Sequence, residues 1–238
     1  MTRRRWIADE VSGDQAALTG DHADHLARVL RARPGQEFDV IAQGVVRSGR
    51  VVAVSNERVE FELGPEIAAA QELQITVLLS IFKFDRMEWA IEKCVELGVA
   101  RIVPVIAQRT ETHLAAASSK RLERWRRLAL QASEQSRRSS PPQISDILRS
   151  EKLAGFSATH KVLLSESESS LSLREALQAI DAKSELALAI GPEGGWANGE
   201  LDRFKSHSWI SATMGSTILR AETAAIAAVA IAAAEMQN

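Results

Sequence analysis

The spacing of apolar positions changes character near residue 70. Before that point apolar residues come in short alternating runs rich in β-branched side chains: Glu37-Phe-Asp-Val-Ile41, Val45 to Val54 and Val59-Glu-Phe-Glu-Leu63, separated by Gly44 and Asn56. Alternation with a period of two is the mark of half-buried strands, so a small β-rich unit is expected. One helix is predicted ahead of it, Asp21 to Arg33, with Asp21 as cap, Leu26, Val29 and Leu30 as apolar stripe and Pro34-Gly35 as stop. Gly64 to Gln71 reads as a connector that opens with a Gly64-Pro-Glu66 turn.

From Leu73 strands alternate with helices. Gln74 to Ile81 has the composition of a buried strand, and Asp85-Arg-Met-Glu88 has the capping-box spacing that opens a helix carrying Met87, Ile91, Cys94 and Val95 and ending at Leu97-Gly98. Ala100 to Ile106 is the next strand. Ser118 to Arg138 is predicted as one long helix, its apolar side made by Leu122, Trp125, Leu128, Ala129 and Ala132, stopped by Pro141-Pro142. Lys161 to Ser165, Glu185 to Ile190 and Ser208 to Thr213 follow as strands, Leu171–Ile180 and Glu200–Phe204 as short helices, and Ala221 to Glu235 as a closing helix. That grammar predicts a mostly parallel sheet in an α/β domain.

Two passages carry candidate chemistry. The apolar run Leu186 to Ile190 stops at Gly191-Pro-Glu-Gly-Gly195 before the pattern turns helical, and Trp209 to Thr223 repeats the strand, loop, helix order around Met214-Gly-Ser-Thr-Ile-Leu-Arg220. Such loops bring backbone N–H groups close to a small ligand, and together these two are read as a cofactor site. The plainer reading of the first is a tight strand-to-helix turn. Glu222 and Thr223 are also ordinary first-turn residues, and Arg220 is either an electrostatic contact or solvated. Other signals fall away. Gly44 to Gly49 has the glycine spacing of a P-loop, but Arg50-Val51 stands where Lys-Ser/Thr would hold phosphate and magnesium, and no Gly-x-Gly-x-x-Gly occurs. His22 and His25 lack the partners of a metal site and read as a surface pair, and Cys94 lies on the apolar side of its helix.

Composition alters the picture only locally. Of 238 residues 45% are hydrophobic and 25% charged, with a net charge of −2, which excludes a uniformly basic nucleic-acid coat. Charge is nevertheless clustered. Lys120, Arg121, Arg124, Arg126, Arg127, Arg137 and Arg138 face only Glu123 and Glu134, and Arg3, Arg4 and Arg5 and then Arg28, Arg31 and Arg33 add further basic stretches. Such patches suit either a polyanion held at a defined place or solvated helix faces. The single cysteine excludes a disulfide framework and fits a reducing compartment. With no apolar run of membrane-spanning length and no apolar stretch behind the N-terminal arginines, a cytoplasmic protein is expected.

Gly191-Pro-Glu-Gly-Gly-Trp-Ala-Asn-Gly-Glu200 with Met214-Gly-Ser-Thr-Ile-Leu-Arg-Ala-Glu-Thr-Ala224 resembles the two C-terminal motifs of the RsmE family, bacterial 16S ribosomal RNA uracil-N3 methyltransferases of the SPOUT class. His25-Leu-Ala-Arg-Val-Leu-Arg31 with Gly35 is similar to the family's PUA-like segment, Asp85 to Gly98 to its first helix, Trp125 to Ser136 to its basic helix, and Leu163-Leu-Ser-Glu166 to the loop before the glycine motif. The chain departs from the family where Trp196-Ala197 replaces Phe-Ser, where Thr217 replaces an arginine and where Ser136-Arg137 replaces Cys-Gly.

The resemblance implies a PUA-like, RNA-binding β-barrel domain over residues 1–70. It implies an α/β SPOUT methyltransferase domain over 73–238, with a parallel sheet, a C-terminal trefoil knot and a homodimeric assembly. It implies S-adenosyl-L-methionine as cofactor, bound by Leu164, Ser165 and Glu166, by Gly191, Pro192, Glu193, Gly194 and Gly195, and by Met214, Gly215, Ile218, Leu219 and Thr223. The expected substrate is 16S rRNA within the small ribosomal subunit, with no metal and no membrane. Arg220 is the candidate for stabilising charge and Glu222 for orienting or removing a proton. Arg3, Arg4, Arg5, Arg28, Arg31, Arg124, Arg127, Arg137 and Arg138 are candidates for gripping the RNA backbone. Two other readings share these motifs: a SPOUT ribose 2′-O-methyltransferase on rRNA or tRNA, and a non-catalytic RNA binder in ribosome assembly.

Overall fold

A computed structural model describes residues 5–67, 73–136, 138, 140–153, 155–178 and 180–237. The chain divides into two compact units, Met1–Ala70 with Arg137–Ser140, and Gln71–Ser136 with Pro141–Asn238.

The first unit is a mixed sheet of six strands: β1 (Arg5–Ile7), β2 (Glu10–Ser12), β3 (Gln15–Thr19), β4 (Glu37–Ala42), β5 (Val45–Val54) and β6 (Arg58–Glu66), in the order β1-β4-β5-β6-β3-β2. Only β1 and β4 run parallel. Leu18, Leu26, Val40, Val51, Val59 and Phe61 form its core. Three strands were not expected, and two expectations are corrected. The strands β1 to β3 are too short for alternation to stand out. Gly64-Pro-Glu66 is the end of β6, not a turn, because Glu66 pairs with Arg47 across an irregularity in the β5 register. The expected helix is a single turn, α1 (Gly20–Asp24), that widens into a π-helical turn over His25–Val29; it starts after Thr19 and gets no side-chain cap from Asp21.

The second unit is an all-parallel sheet of seven strands: β7 (Ile75–Ser80), β8 (Arg101–Ile106), β9 (Gln143–Ile144), β10 (Leu148–Arg149), β11 (His160–Leu164), β12 (Leu186–Ile190) and β13 (Ile210–Ala212). The order is β10-β8-β7-β12-β11-β13, with β9 also beside β8. Burial on both faces explains why β12 reads Leu-Ala-Leu-Ala-Ile without a polar residue. Its Leu186, Leu188 and Ile190 join one core with α2 (Phe84–Glu96), α4 (Leu122–Gln135) and α8 (Ala221–Met236), while Ala187 and Ala189 face Trp196, Phe204 and Trp209 near α7 (Asn198–Ser206). Short helices α3 (Thr112–Ala117), α5 (Ser150–Leu153) and α6 (Leu173–Ala176) complete the unit.

Two details differ from the sequence pattern. The long basic helix is α3, a 3₁₀ turn over Ser118–Arg121 and α4 in succession. Helix α2 begins at Phe84 behind Lys83, so Asp85 does not cap it. Glu88, which would have closed that box, is taken by Arg124, whose Nε and Nη2 donate to its two oxygens at 2.7 and 2.8 Å. No helix among the described residues is long and apolar enough to cross a membrane.

Candidate active site

Strands β12, β11 and β13 are adjacent and parallel, so their carboxyl ends open on the same edge of the sheet. In open α/β sheets that edge is where ligands bind. The chain leaving the three strands walls a cavity of about 530 Å³, lined by residues 164–167, by Ile190 to Trp196 without Gly194, and by residues 213–221. Asn198, Leu201, Ala224 and Arg109, from the loop after β8, complete it.

Side chains bind these loops to one another. Trp196, 5% exposed, donates its indole N–H to the Leu164 carbonyl at 3.1 Å, tying the glycine loop to the end of β11. Gly195 adopts φ +67°, so the turn calls for glycine; a Cβ there would also lie 2.9 Å from Glu166 Oε1, the end of an exposed side chain that can move aside. Glu200, 1% exposed, accepts one hydrogen bond from the Ala197 N–H and one from the Gln108 N–H, both at 2.9 Å. Arg109 Nη1 donates to the Gly194 carbonyl at 2.8 Å.

Charge is arranged around a shared arginine. Arg86, in the first turn of α2, reaches Glu193 of the glycine loop at 3.2 Å and Glu222 at the start of α8 at 3.7 Å. Glu222 is buried, and its Oε2 has no hydrogen-bond partner. Arg220 and Arg109 are the cations lining the cavity among the described residues, against the carboxylates of Glu166 and Glu193. Cys94 lies apart from this chemistry, fully buried, and burial pushes its thiol up to about 12.

Residues 69–233 match a family model described as an RNA methyltransferase domain. The chain is 29% identical over 218 residues to ribosomal RNA small subunit methyltransferase E of Bacillus subtilis, covering 87% of this chain and 85% of that one. It is 32% identical to the protein of that name from Mycobacterium tuberculosis, covering 91% and 85%. The chain belongs to the ribosomal RNA small subunit methyltransferase E family. A solved member from Neisseria gonorrhoeae, bound to S-adenosyl methionine, superposes with a TM-score of 0.78 at 29% identity over 97% of this chain and 96% of that one.

Set against the motifs of that family, the structure brings most of the candidate cofactor residues together. Leu164, Ser165, Glu166, Gly191, Pro192, Glu193, Gly195, Met214, Gly215, Ile218 and Leu219 all line the cavity, as does Arg220. Gly194 and Thr223 do not: Gly194 turns its carbonyl to Arg109, and Thr223 is exposed on α8. Glu222 also stands outside the lining, engaged by Arg86. Trp196, one of the expected departures, makes a hydrogen bond that a phenyl ring cannot. Thr217 lines the cavity with a short neutral side chain, and Ser136 ends α4 by donating to the Ala132 carbonyl at 2.7 Å.

The candidate RNA contacts are more varied. Arg3, Arg4 and Arg137 lie outside the described residues. Arg5 pairs with Asp39 at 3.7 Å, Arg28 with Asp24 at 2.7 Å, and Arg124 with Glu88. The side chains of Arg127 and Arg31 are exposed and make no hydrogen bond or ion pair with another described residue, and Arg138 is half-buried. His22 and His25 pack their rings on Trp6 at 6.3 and 5.8 Å. Pattern reading missed Arg86, Arg109 and Glu200. The signal for Arg109 was its place just past β8, and for Glu200 its place three residues after a helix N-cap.

Proposed function

We propose that the chain transfers a methyl group from S-adenosylmethionine to N3 of a uracil in 16S rRNA of the small ribosomal subunit, in the cytoplasm. The observation that carries this is the cavity made by three loops at the carboxyl ends of β11, β12 and β13, in a chain of the methyltransferase E family. Its volume of about 530 Å³ lies in the range for a ligand of drug size. Gly191 and Gly195 keep the wall close to backbone, Leu164, Ile190, Met214 and Leu219 give it an apolar lining, and Glu166 and Glu193 supply negative charge for a cationic ligand. These groups fit the cofactor and would hold it.

When bound, S-adenosylmethionine supplies an electrophilic methyl on a positively charged sulfur. The chain's part is to hold the base in line and to favour loss of the N3 proton. N3 lies on the pairing edge of the base, so the uracil has to be unpaired to enter. The N3 proton passes to water as the new N–C bond forms and the sulfonium returns to a neutral thioether; Arg220 on the cavity wall is the group we assign to stabilise the negative charge that develops on the ring. The ion pair with Arg86 suits Glu222 to orienting the start of α8 behind Arg220.

The finer architecture belongs to the same reading. We read the first unit, residues 1–70, as a PUA-like RNA-binding domain and residues 73–238 as the catalytic domain. A trefoil knot in the latter is supported by the path of the chain: β13 is the edge strand beside β11, yet α8 packs on α2, β7 and β12. A homodimer is the expected assembly, and Trp89, 49% exposed on α2, offers a second copy an apolar contact. Arg127 and Arg31, which have free donors, are the first candidates for the RNA backbone.

The test is to incubate small subunits lacking the modification with labelled S-adenosylmethionine and to analyse the nucleosides. N3-methyluridine is expected. Label on a ribose 2′-oxygen would point to the ribose methyltransferase, and bound cofactor without label in RNA would leave a non-catalytic binder.

A further inference from the structure

Arg109 is held over the cavity by more structure than a solvated side chain requires. The turn that carries it is closed by two hydrogen bonds, from the Thr110 N–H to the Ala107 carbonyl at 3.1 Å and from the Ala107 N–H to the Thr110 hydroxyl at 3.0 Å. Its outer N–H, on Gln108, donates to Glu200 Oε1 at 2.9 Å. The second oxygen of Glu200 takes the Ala197 N–H at the exit of the glycine loop. One buried carboxylate that does not itself line the cavity therefore fixes the loop after β8 to the loop after β12.

The guanidinium completes the link by donating to the Gly194 carbonyl, its one hydrogen bond to a described residue. Arg109 is exposed, and its remaining donors stay available at the rim. A planar fork of donors on a fixed backbone is the arrangement that recognises a phosphate or a carboxylate. Arg109 lines the cavity and is at the same time exposed, so an anion held by its remaining donors sits where the cavity opens to solvent. That favours the backbone of a polyanion entering from solvent over the carboxylate of a cofactor lying within.

We infer that Arg109 anchors an RNA phosphate beside the target nucleotide, and that Glu200 is the positioning residue that holds Arg109 there. This rests on the reading that RNA is the substrate, but it is tested by binding, without catalysis.

Small subunits lacking the modification are titrated with full-length protein over a series of salt concentrations, and S-adenosylmethionine binding is followed by calorimetry. Arg109→Ala removes an exposed side chain and leaves the core intact. It should weaken RNA binding, reduce the slope of log affinity against log salt by about one, and lower cofactor affinity by much less than RNA affinity, through the lost tie to the glycine loop alone. In turnover it should raise the KM for subunits several-fold more than it lowers kcat. Arg109→Lys should restore the salt slope without full affinity, because the charge returns without the fork. Glu200→Gln sets an amide NH₂ against one of two N–H donors, so it should shift the RNA terms in the same direction. Combined with Arg109→Ala it should add little, since both act on one contact. An unchanged salt slope in Arg109→Ala overturns the inference. So does a loss of cofactor affinity as large as the loss of RNA affinity, which would give Arg109 to the carboxylate of S-adenosylmethionine. If the wild type binds subunits but methylates nothing, the proposed reaction fails while the salt slope still decides the role of Arg109.

Discussion

The indole N–H of Trp196 donates to the carbonyl of Leu164 at 3.1 Å, across 32 residues of sequence, and so fixes the glycine loop to the end of β11. The ring also packs edge-on against Phe204 at 5.0 Å. Trp196→Phe keeps most of that packing and removes the donor, leaving a buried carbonyl unpaired. A loss of about 1 kcal/mol in holding the two walls together is expected, hence S-adenosylmethionine affinity about fivefold lower. Calorimetric titration checks it; unchanged affinity would show that the loops are held by other contacts.

Gly195 is the position in the glycine loop least able to accept a side chain. Its φ of +67° disfavours any L-residue, and a Cβ would press on Glu166 Oε1. Glu166 is exposed and can swing away, so the lasting cost of Gly195→Ala is the backbone term of about 1–2 kcal/mol. Urea unfolding should show that loss. Adding Glu166→Ala should relieve only the steric part and leave the backbone cost in place.

The site was legible wherever backbone conformation carries it and obscure wherever one side chain reaches across the fold. Gly191 to Gly195 and Met214 to Arg220 stand out because strand, loop and helix follow each other in the chain, and the cavity forms at those loops. Arg86, Arg109 and Glu200 act on partners 107, 85 and 92 residues away, and spacing along the sequence holds no record of such contacts. The same limit explains the capping box expected at Asp85: its local pattern was sound, but Arg124 competes for Glu88 from another helix. In the first unit, β1 to β3 escaped because three to five residues are too few for a period of two to show.

Cys94 gives a pH prediction of definite sign. Burial raises its thiol from an ordinary 9.0 to about 12, so the folded protein keeps the proton after the unfolded chain has lost it. The associated stability is full below 9.0 and is lost as pH rises from there toward 12. Thiol reagents at neutral pH should therefore label Cys94 only once the fold opens. Above that lower pH, stability should fall more steeply in the wild type than in Cys94→Ala, as urea unfolding at a series of pH values would show.

Arg220 is predicted to act on the reaction more than on binding. Arg220→Ala should lower kcat with small subunits by about 10²-fold, the size seen when a group stabilising developing charge is removed. Cofactor affinity should change little, and Arg220→Lys should recover part of the rate. Equal losses in the lysine and alanine variants would mean that charge alone is not what the position supplies.

Arg86 is predicted to matter most for the fold of the site. It is the ion-pair partner of Glu222, whose side chain is 6% exposed, and it also reaches Glu193. Arg86→Met removes the cation and leaves a buried carboxylate uncompensated, for which a loss of about 2–3 kcal/mol is expected. Glu222→Gln in the same protein removes the stranded charge and should recover much of that stability, since the cost lies in the unpaired carboxylate more than in the lost contact. Urea unfolding of the two single variants and the double variant measures the coupling. A double variant no more stable than Arg86→Met would instead assign the loss to Glu193 and the glycine loop, and cofactor binding would then fall in step with stability.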